Sequence, residues 1–194
     1  MQCEGCLDMA LLDGLEAEIR AMSGDGVIVL HTMGSHGPAY YQRYPEAFRR
    51  FTPTCDTSQI QDCSREALRN TYRNTILYID HMLAATMAVL EGMEDTDSAL
   101  WYFSDHGESL GENGLYLHAA PYAIAPAEQT HVPMVFWAQP GWYGASGISR
   151  ECLAARAGEA YAHDHVFHSL LGLYGVRTDA YQAALDMFAP CRAE

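Results

Sequence analysis

Basic residues are scarce in this chain. Lysine and arginine together number 11 against 25 aspartates and glutamates, leaving a formal net charge of −14 over 194 residues. A surface so poor in positive charge cannot neutralise a phosphate backbone, which sets nucleic acid aside as a partner. It offers no polybasic membrane contact either. No apolar run approaches the roughly 18 residues that span a bilayer. The basic, apolar and small residues of a signal peptide are missing from the start. Met1-Gln2-Cys3-Glu4-Gly5-Cys6 opens abruptly, as an internal fragment would. Internal repeats, linkers and a composition shift marking a second domain are also missing. Cys3 and Cys6 form a C-x-x-C with no second copy to complete a zinc ribbon, so a local disulfide is expected there.

What is present favours a packed body. Apolar residues make up 49% of the chain, and its length is that of one domain with a sizeable core. The 6 cysteines are many for such a chain, and their even number suits disulfides in an oxidising compartment. Cys55 and Cys63 bracket a short polar loop that a bridge would close. Cys152 and Cys191 remain as a candidate pair tying the tail to the loop after Trp142.

Hydrophobic spacing lays out the elements. Leu7, Leu11, Leu12, Leu15 and Ile19 predict a helix from Cys6 to Met22, stopped by Ser23-Gly24-Asp25-Gly26. Val27 to His31 is a short apolar run of the kind buried on both faces in a parallel sheet, with His31 a core residue. Gly34, Gly37, Pro38, Pro45 and Pro53 make Thr32 to Asp62 loop-like, and irregular segments of that length are commonly functional. Ser64 reads as a helix N-cap with Glu66 in the first turn. Leu68, Tyr72, Ile76, Ile79, Leu83, Met87 and Leu90 then draw one apolar stripe, and Gly92 closes the helix. Strands follow at Leu100 to Phe103 and Val132 to Trp137. A last helix runs from Asp164 to Tyr174 with Gly175 as its C-cap, and a helical turn is expected near Ala183 to Phe188. Alternating helices and buried strands point to an α/β sandwich with a largely parallel sheet flanked by helices.

The chemistry gathers where the apolar run Leu100 to Phe103 ends in Asp105 and His106. A strand ending this way delivers two side chains to a sheet edge, where ligands sit in open α/β sheets. A carboxylate oxygen beside an imidazole nitrogen is the donor pair of a catalytic zinc site. His118 follows Leu115-Tyr116-Leu117, and His36 lies just beyond the run Val27 to Leu30, so three imidazole-bearing segments share this context. Glu108 is placed to orient His106 from behind, or to stand at a helix start. His163, His165 and His168, with Asp164, repeat the residue types without a preceding strand and read as structural.

Ser104-Asp105-His106-Gly107-Glu108-Ser109-Leu110-Gly111-Glu112-Asn113-Gly114-Leu115-Tyr116-Leu117-His118 resembles the metal-site signature of the lipid A phosphoethanolamine transferases. These belong to the alkaline phosphatase/sulfatase superfamily and include the transferable colistin-resistance enzymes. The stretch His31 to Pro45, with Phe51-Thr52-Pro53-Thr54-Cys55, is similar to a second block of that family, and Ser169-Leu170-Leu171-Gly172 to a C-terminal one.

The resemblance implies an alkaline phosphatase-like fold with its N-terminal part missing, and one partial sulfatase-like catalytic domain over residues 1–194. It implies a disulfide-rich setting at the periplasmic face of the bacterial inner membrane. Zinc is the implied cofactor, and the implied reaction moves phosphoethanolamine from phosphatidylethanolamine to lipid A through a covalent threonine intermediate. Asp105 and His106 fall on metal ligands. His36 and His118 fall on positions that contact the phosphoethanolamine group or bind a further zinc. The family's membrane helices, its first strand with a glutamate ligand and its nucleophilic threonine have no counterpart in this chain. Membrane association would come only through that missing region, and the isolated chain is expected to bind zinc weakly and to transfer nothing. Two other readings remain: a superfamily phosphotransferase or hydrolase acting on another periplasmic glycan or lipid, and an inactive remnant.

Overall fold

The computed structural model describes residues 7–193. Cys3 and Cys6, with the disulfide expected there, lie outside the described residues. The chain falls into two compact units. One comprises the chain through Met93 together with Trp101–Val135, and the other Glu94–Leu100 with Phe136–Glu194.

In the first unit, the helix expected from Cys6 to Met22 is broken. A 3-10 turn spans Asp8–Leu12, and α1 covers only Leu15–Ala21. Gly14, at φ 79°, takes the left-handed conformation between them, which glycine adopts without a Cβ penalty. Val27 to Leu30 belongs to no strand, and Val29 is 81% exposed. A strand buried on both faces needs ladder partners, and none of the described residues supplies them. His31, expected in the core, is exposed with it.

Helix α2, Arg65–Glu91, is 27 residues long, or about 40 Å at ~1.5 Å per residue. Its ends are where local chemistry puts them: the Ser64 hydroxyl accepts from the Ala67 N–H, and Gly92 is the C-cap. Removing that cap by Ser64→Ala is expected to cost about 1 kcal/mol. A urea midpoint that does not move would show the cap to be idle.

The buried face of α2 differs from the expected apolar stripe. Thr71, Asn74, Thr75 and Thr86 are buried with Leu68, Tyr78, Met82 and Leu90, whereas Ile76 is 46% exposed. Polar groups can go inside because each finds a partner. Asn74 Oδ1 accepts from the Arg50 and Phe51 N–H groups at 3.0 and 2.9 Å, and its amide donates to the Phe51 carbonyl at 3.0 Å. Thr71 Oγ1 accepts from Cys55 N at 2.7 Å. The irregular segment from Thr32 to Asp62 is therefore held through backbone groups that its 3-10 turns leave free. Beside it Tyr40, Cys55, Ile60, Ala67 and Leu68 form a buried cluster, with Tyr72, Leu110 and Leu117 packed against it. Cys55 and Cys63 are disulfide-bonded.

Strand β1 is Ala99–Phe103 and β4 is Met134–Ala138; short β2, Ser109–Leu110, and β3, Tyr116–Leu117, form a separate pair. β2 and β3 run antiparallel. β1 and β4 do too, since Ser104 N donates to Pro133 O while Gln139 N donates to Ser98 O. A short helix, α3 at Ala127–Thr130, precedes β4.

The second unit adds α4, Pro140–Ser146, α5, Arg150–Ala155, and α6, Asp164–Leu173. Gly175 follows α6 at φ 60° as its left-handed cap. Phe188 is fully buried, with the Phe136 and Trp142 rings 5.2 and 6.3 Å away. Cys152 and Cys191 are bonded as the sequence suggested.

Candidate metal centre

Two irregular loops and the end of one strand build the site, all within the first unit. β1 runs out at Phe103, and Gly107 then turns the chain so closely past α3 that a Cβ there would sit 1.9 Å from the Glu128 carbonyl oxygen. Gly107→Ala should therefore displace the loop carrying His106 and cost about 1–3 kcal/mol. Unchanged thermal stability of that variant would show the loop able to give way.

The second loop is held from two sides. Both carboxylate oxygens of Asp8 accept from backbone N–H groups, those of Met33 at 2.9 Å and Gly34 at 2.8 Å. Ser35 Oγ meets Thr75 Oγ1 of α2 at 2.6 Å. Arg43 Nε donates to the His36 carbonyl at 3.0 Å. His118 follows β3 between two residues in the left-handed region, Leu117 at φ 63° and Ala119 at φ 70°. Neither is glycine, so this backbone is strained, and such strain gathers at functional sites.

These loops bring His36, His106 and His118 together: one ring nitrogen from each lies within 4.8 Å of the others. The His106 and His118 rings stack at 4.0 Å, and His36 meets His118 edge-on at 4.9 Å. In each ring Nδ1 faces an oxygen: the Gly37 carbonyl for His36, the Gly107 carbonyl for His106 and Glu108 Oε1 for His118. A carbonyl or carboxylate oxygen can only accept, so each Nδ1 is placed to donate, and in the neutral ring Nε2 then keeps its lone pair. That tautomer is the one a metal-binding imidazole needs, with the far nitrogen fixed from behind.

Glu108 anchors this arrangement. Its side chain is 3% exposed. One oxygen accepts from Gly37 N and from His118 Nδ1, at 3.2 and 3.1 Å, and the other from Tyr40 Oη at 3.0 Å. The expectation that Glu108 orients His106 or starts a helix is thus corrected. It serves His118, because residues 108–110 enter β2 and the next turn brings His118 back past it. Burial, and then the Glu108 carboxylate, push the Tyr40 phenol well above its ordinary range, so Tyr40 stays protonated and donates.

Asp105 stands differently. Its side chain is 78% exposed and its Oδ1 lies 3.9 Å from His106 Nε2, outside the group of three histidines. His163, His165 and His168 do not join it either; His168 is buried and its Nδ1 accepts from Gln182 N at 3.2 Å. Asp8 escaped the sequence reading, as did the role of Tyr40 as a donor to Glu108. A carboxylate in the first turn of a helix and a tyrosine among several carry no local sign of their distant partners.

A family model described as Sulfatase matches residues 1–176. This chain belongs to the sulfatase family. Within it, phosphoethanolamine transferase EptA of Salmonella typhimurium is 52% identical over 189 residues, which are 96% of this chain and 35% of that protein. Phosphatidylethanolamine transferase Mcr-1 of Escherichia coli is 40% identical over 176 residues, 90% of this chain and 31% of that one. The solved soluble domain of lipooligosaccharide phosphoethanolamine transferase A from Neisseria meningitidis superposes with a TM-score of 0.94 at 48% identity. It is covered over 59% of its length by 99% of this chain. The integral membrane protein of that name gives a TM-score of 0.93 at 49% identity, with 97% of this chain covering 36% of it. This sulfatase-family chain thus spans about a third of the length of the curated relatives it matches. Its fold is the alkaline phosphatase-like one of the phosphoethanolamine transferases, and the resemblance read from the two sequence blocks holds along nearly the whole chain. No helix among the described residues is long and apolar enough to cross a membrane.

Proposed function

We propose that this chain supplies the histidine-rich part of a zinc centre in a phosphoethanolamine transferase at the periplasmic face of a bacterial inner membrane. In this reading the enzyme moves phosphoethanolamine from phosphatidylethanolamine to lipid A through a covalent threonine intermediate. The observation that carries the reading is the convergence of His36, His106 and His118 with every Nδ1 already engaged. Borderline-soft, nitrogen-rich donor sets of this kind suit zinc. His106 and Asp105 would hold the metal, with His36 and His118 completing the set or gripping the phosphoethanolamine group. When bound, zinc polarises a phosphoryl oxygen as a Lewis acid.

The chain's own residues do the positioning. Glu108 holds His118 and the Gly37 turn to one carboxylate, so the two loops share a reference point. The His106 and His118 side chains remain about a third exposed, at 30% and 29%, so the cluster is accessible to a small ligand.

The test is a calorimetric titration of the chain with zinc, followed by O-phosphoethanolamine as a headgroup probe. Weak zinc uptake at one site is expected of the isolated chain, with the probe binding only afterwards. A chain that takes no zinc, or that binds the probe equally well without it, would overturn the reading.

A further inference from the structure

Immediately after His118 the chain makes a loop whose surface differs from the rest of the molecule. From Ala119 to Ala127 it holds no charged residue, although the chain as a whole carries a net charge of −14. Its tip presents Tyr122 at 90% exposure and Ile124 at 62%. The tip is not a floppy excursion. Pro121 and Pro126 fix two of its backbone angles, and the Pro121 carbonyl accepts from both Ile124 N and Ala125 N at 2.9 Å.

The base of the loop is tied to the histidine site through Gln129. The Gln129 side-chain oxygen accepts from Ala120 N at 3.2 Å, and its amide donates to Ser109 Oγ at 2.8 Å. Its backbone oxygen accepts from Gly107 N at 3.0 Å. One residue therefore sets the loop, the turn beside His106 and the start of β2 in fixed relation. The apolar tip is held out in solvent, with Tyr122 four residues beyond His118.

We propose that the loop 119–125 is a lipid-contacting loop, whose Tyr122 and Ile124 side chains enter the interfacial layer of a phospholipid bilayer beside the histidine cluster. Tyrosine favours that layer, where its ring is in the apolar zone and its hydroxyl remains wet. The charge pattern selects the kind of surface. A strongly acidic chain is repelled by anionic lipid, and a loop without lysine or arginine gains nothing from it. A zwitterionic surface, such as phosphatidylcholine or phosphatidylethanolamine, matches a neutral loop on an acidic body. The proposal deepens the reading of the histidine site, since a phosphodiester at the surface of a bilayer can reach that site only if the site is held against the surface. Val27 to Val29 is also exposed and apolar, but Asp25 adjoins it and nothing ties it into the site.

The experiment is amide-resolved NMR of the chain with phosphatidylcholine bicelles containing a doxyl-labelled lipid. Line broadening is expected to peak at Tyr122 and Ile124 and to fall away on either side. Tyr122→Ser with Ile124→Ser should weaken partitioning about tenfold or more, since each apolar side chain contributes appreciably to the transfer. Zinc uptake and the amide spectrum outside the loop should not change, and Tyr122→Ser alone serves if the double variant folds poorly. No broadening, broadening centred on residues 27–30, or broadening that survives the substitutions would each overturn the proposal. So would broadening that vanishes on dilution of the protein at constant lipid, which would mark a second copy of this chain as the loop's partner. A chain that takes up zinc but ignores bicelles refutes this inference alone. One that contacts bicelles but takes up no zinc refutes the zinc reading alone.

Discussion

Glu108→Ala is expected to destabilise this chain by about 3–5 kcal/mol, because it removes a buried acceptor and strands its donors. The carboxylate takes hydrogen bonds from Gly37 N, Tyr40 Oη and His118 Nδ1. Tyr40 is 1% exposed, so its hydroxyl could not turn to water for a replacement. The vacated volume adds a cavity term between the two site loops. Glu108→Gln should fall between wild type and Glu108→Ala. Its amide oxygen can still accept, but its NH2 would face the Gly37 N–H or the tyrosine donor. Urea denaturation with an unchanged slope is the measurement. A loss under about 1 kcal/mol for Glu108→Ala would mean that water had replaced the carboxylate, against the burial seen here. Because Glu108 also fixes the His118 tautomer, both variants should weaken zinc binding by about 10–100-fold, the usual effect of removing the partner behind a metal-binding imidazole.

His118→Ala should weaken zinc binding more than about 100-fold, beyond what loss of such an outer partner does. Stability should fall far less than in Glu108→Ala, because His118 is half-buried and its removal leaves Glu108 two of its donors. His165→Ala is the matched control. It removes an imidazole from α6 that lies outside the cluster, and zinc affinity should not change. Competition against a chelator of known affinity reads both. If His118→Ala and His165→Ala behaved alike, the three-histidine convergence would be a packing feature and the metal would have to be sought at Asp105 and His106 alone.

Several features of this chain are set by local chemistry, and these were legible in the sequence. The Ser64 cap, the ends of α2, the stop of β1 before Asp105, and α6 closing on Gly175 each depend on residues within a turn of one another. The two described disulfides were also readable, one from its short loop and one from the cysteines left over. The candidate site was legible as a set of histidines, since each stands just past an apolar run or one loop away from it.

Tertiary structure alone decided the rest. Apolar spacing gave α2 a stripe through Ile76, yet the helix buries Thr71, Asn74 and Thr75. Hydrophobic periodicity records the tendency of side chains to leave water, and it is silent about backbone donors that a distant loop brings to a buried amide or hydroxyl. Glu108 reads as a neighbour of His106 because the two are close in sequence. The β2–β3 hairpin returns the chain past Glu108, and the left-handed residues on either side of His118, just after β3, make it the partner of His118. Asp8 reaches the turn before His36 for the same kind of reason. Val27 to Leu30 has the composition of an inner strand, but a strand exists only when another backbone completes its ladder. Sequence fixes which groups this chain has to offer, and only the fold determines which of them meet, because a hydrogen bond or a metal ligand set requires partners that chain order does not bring together.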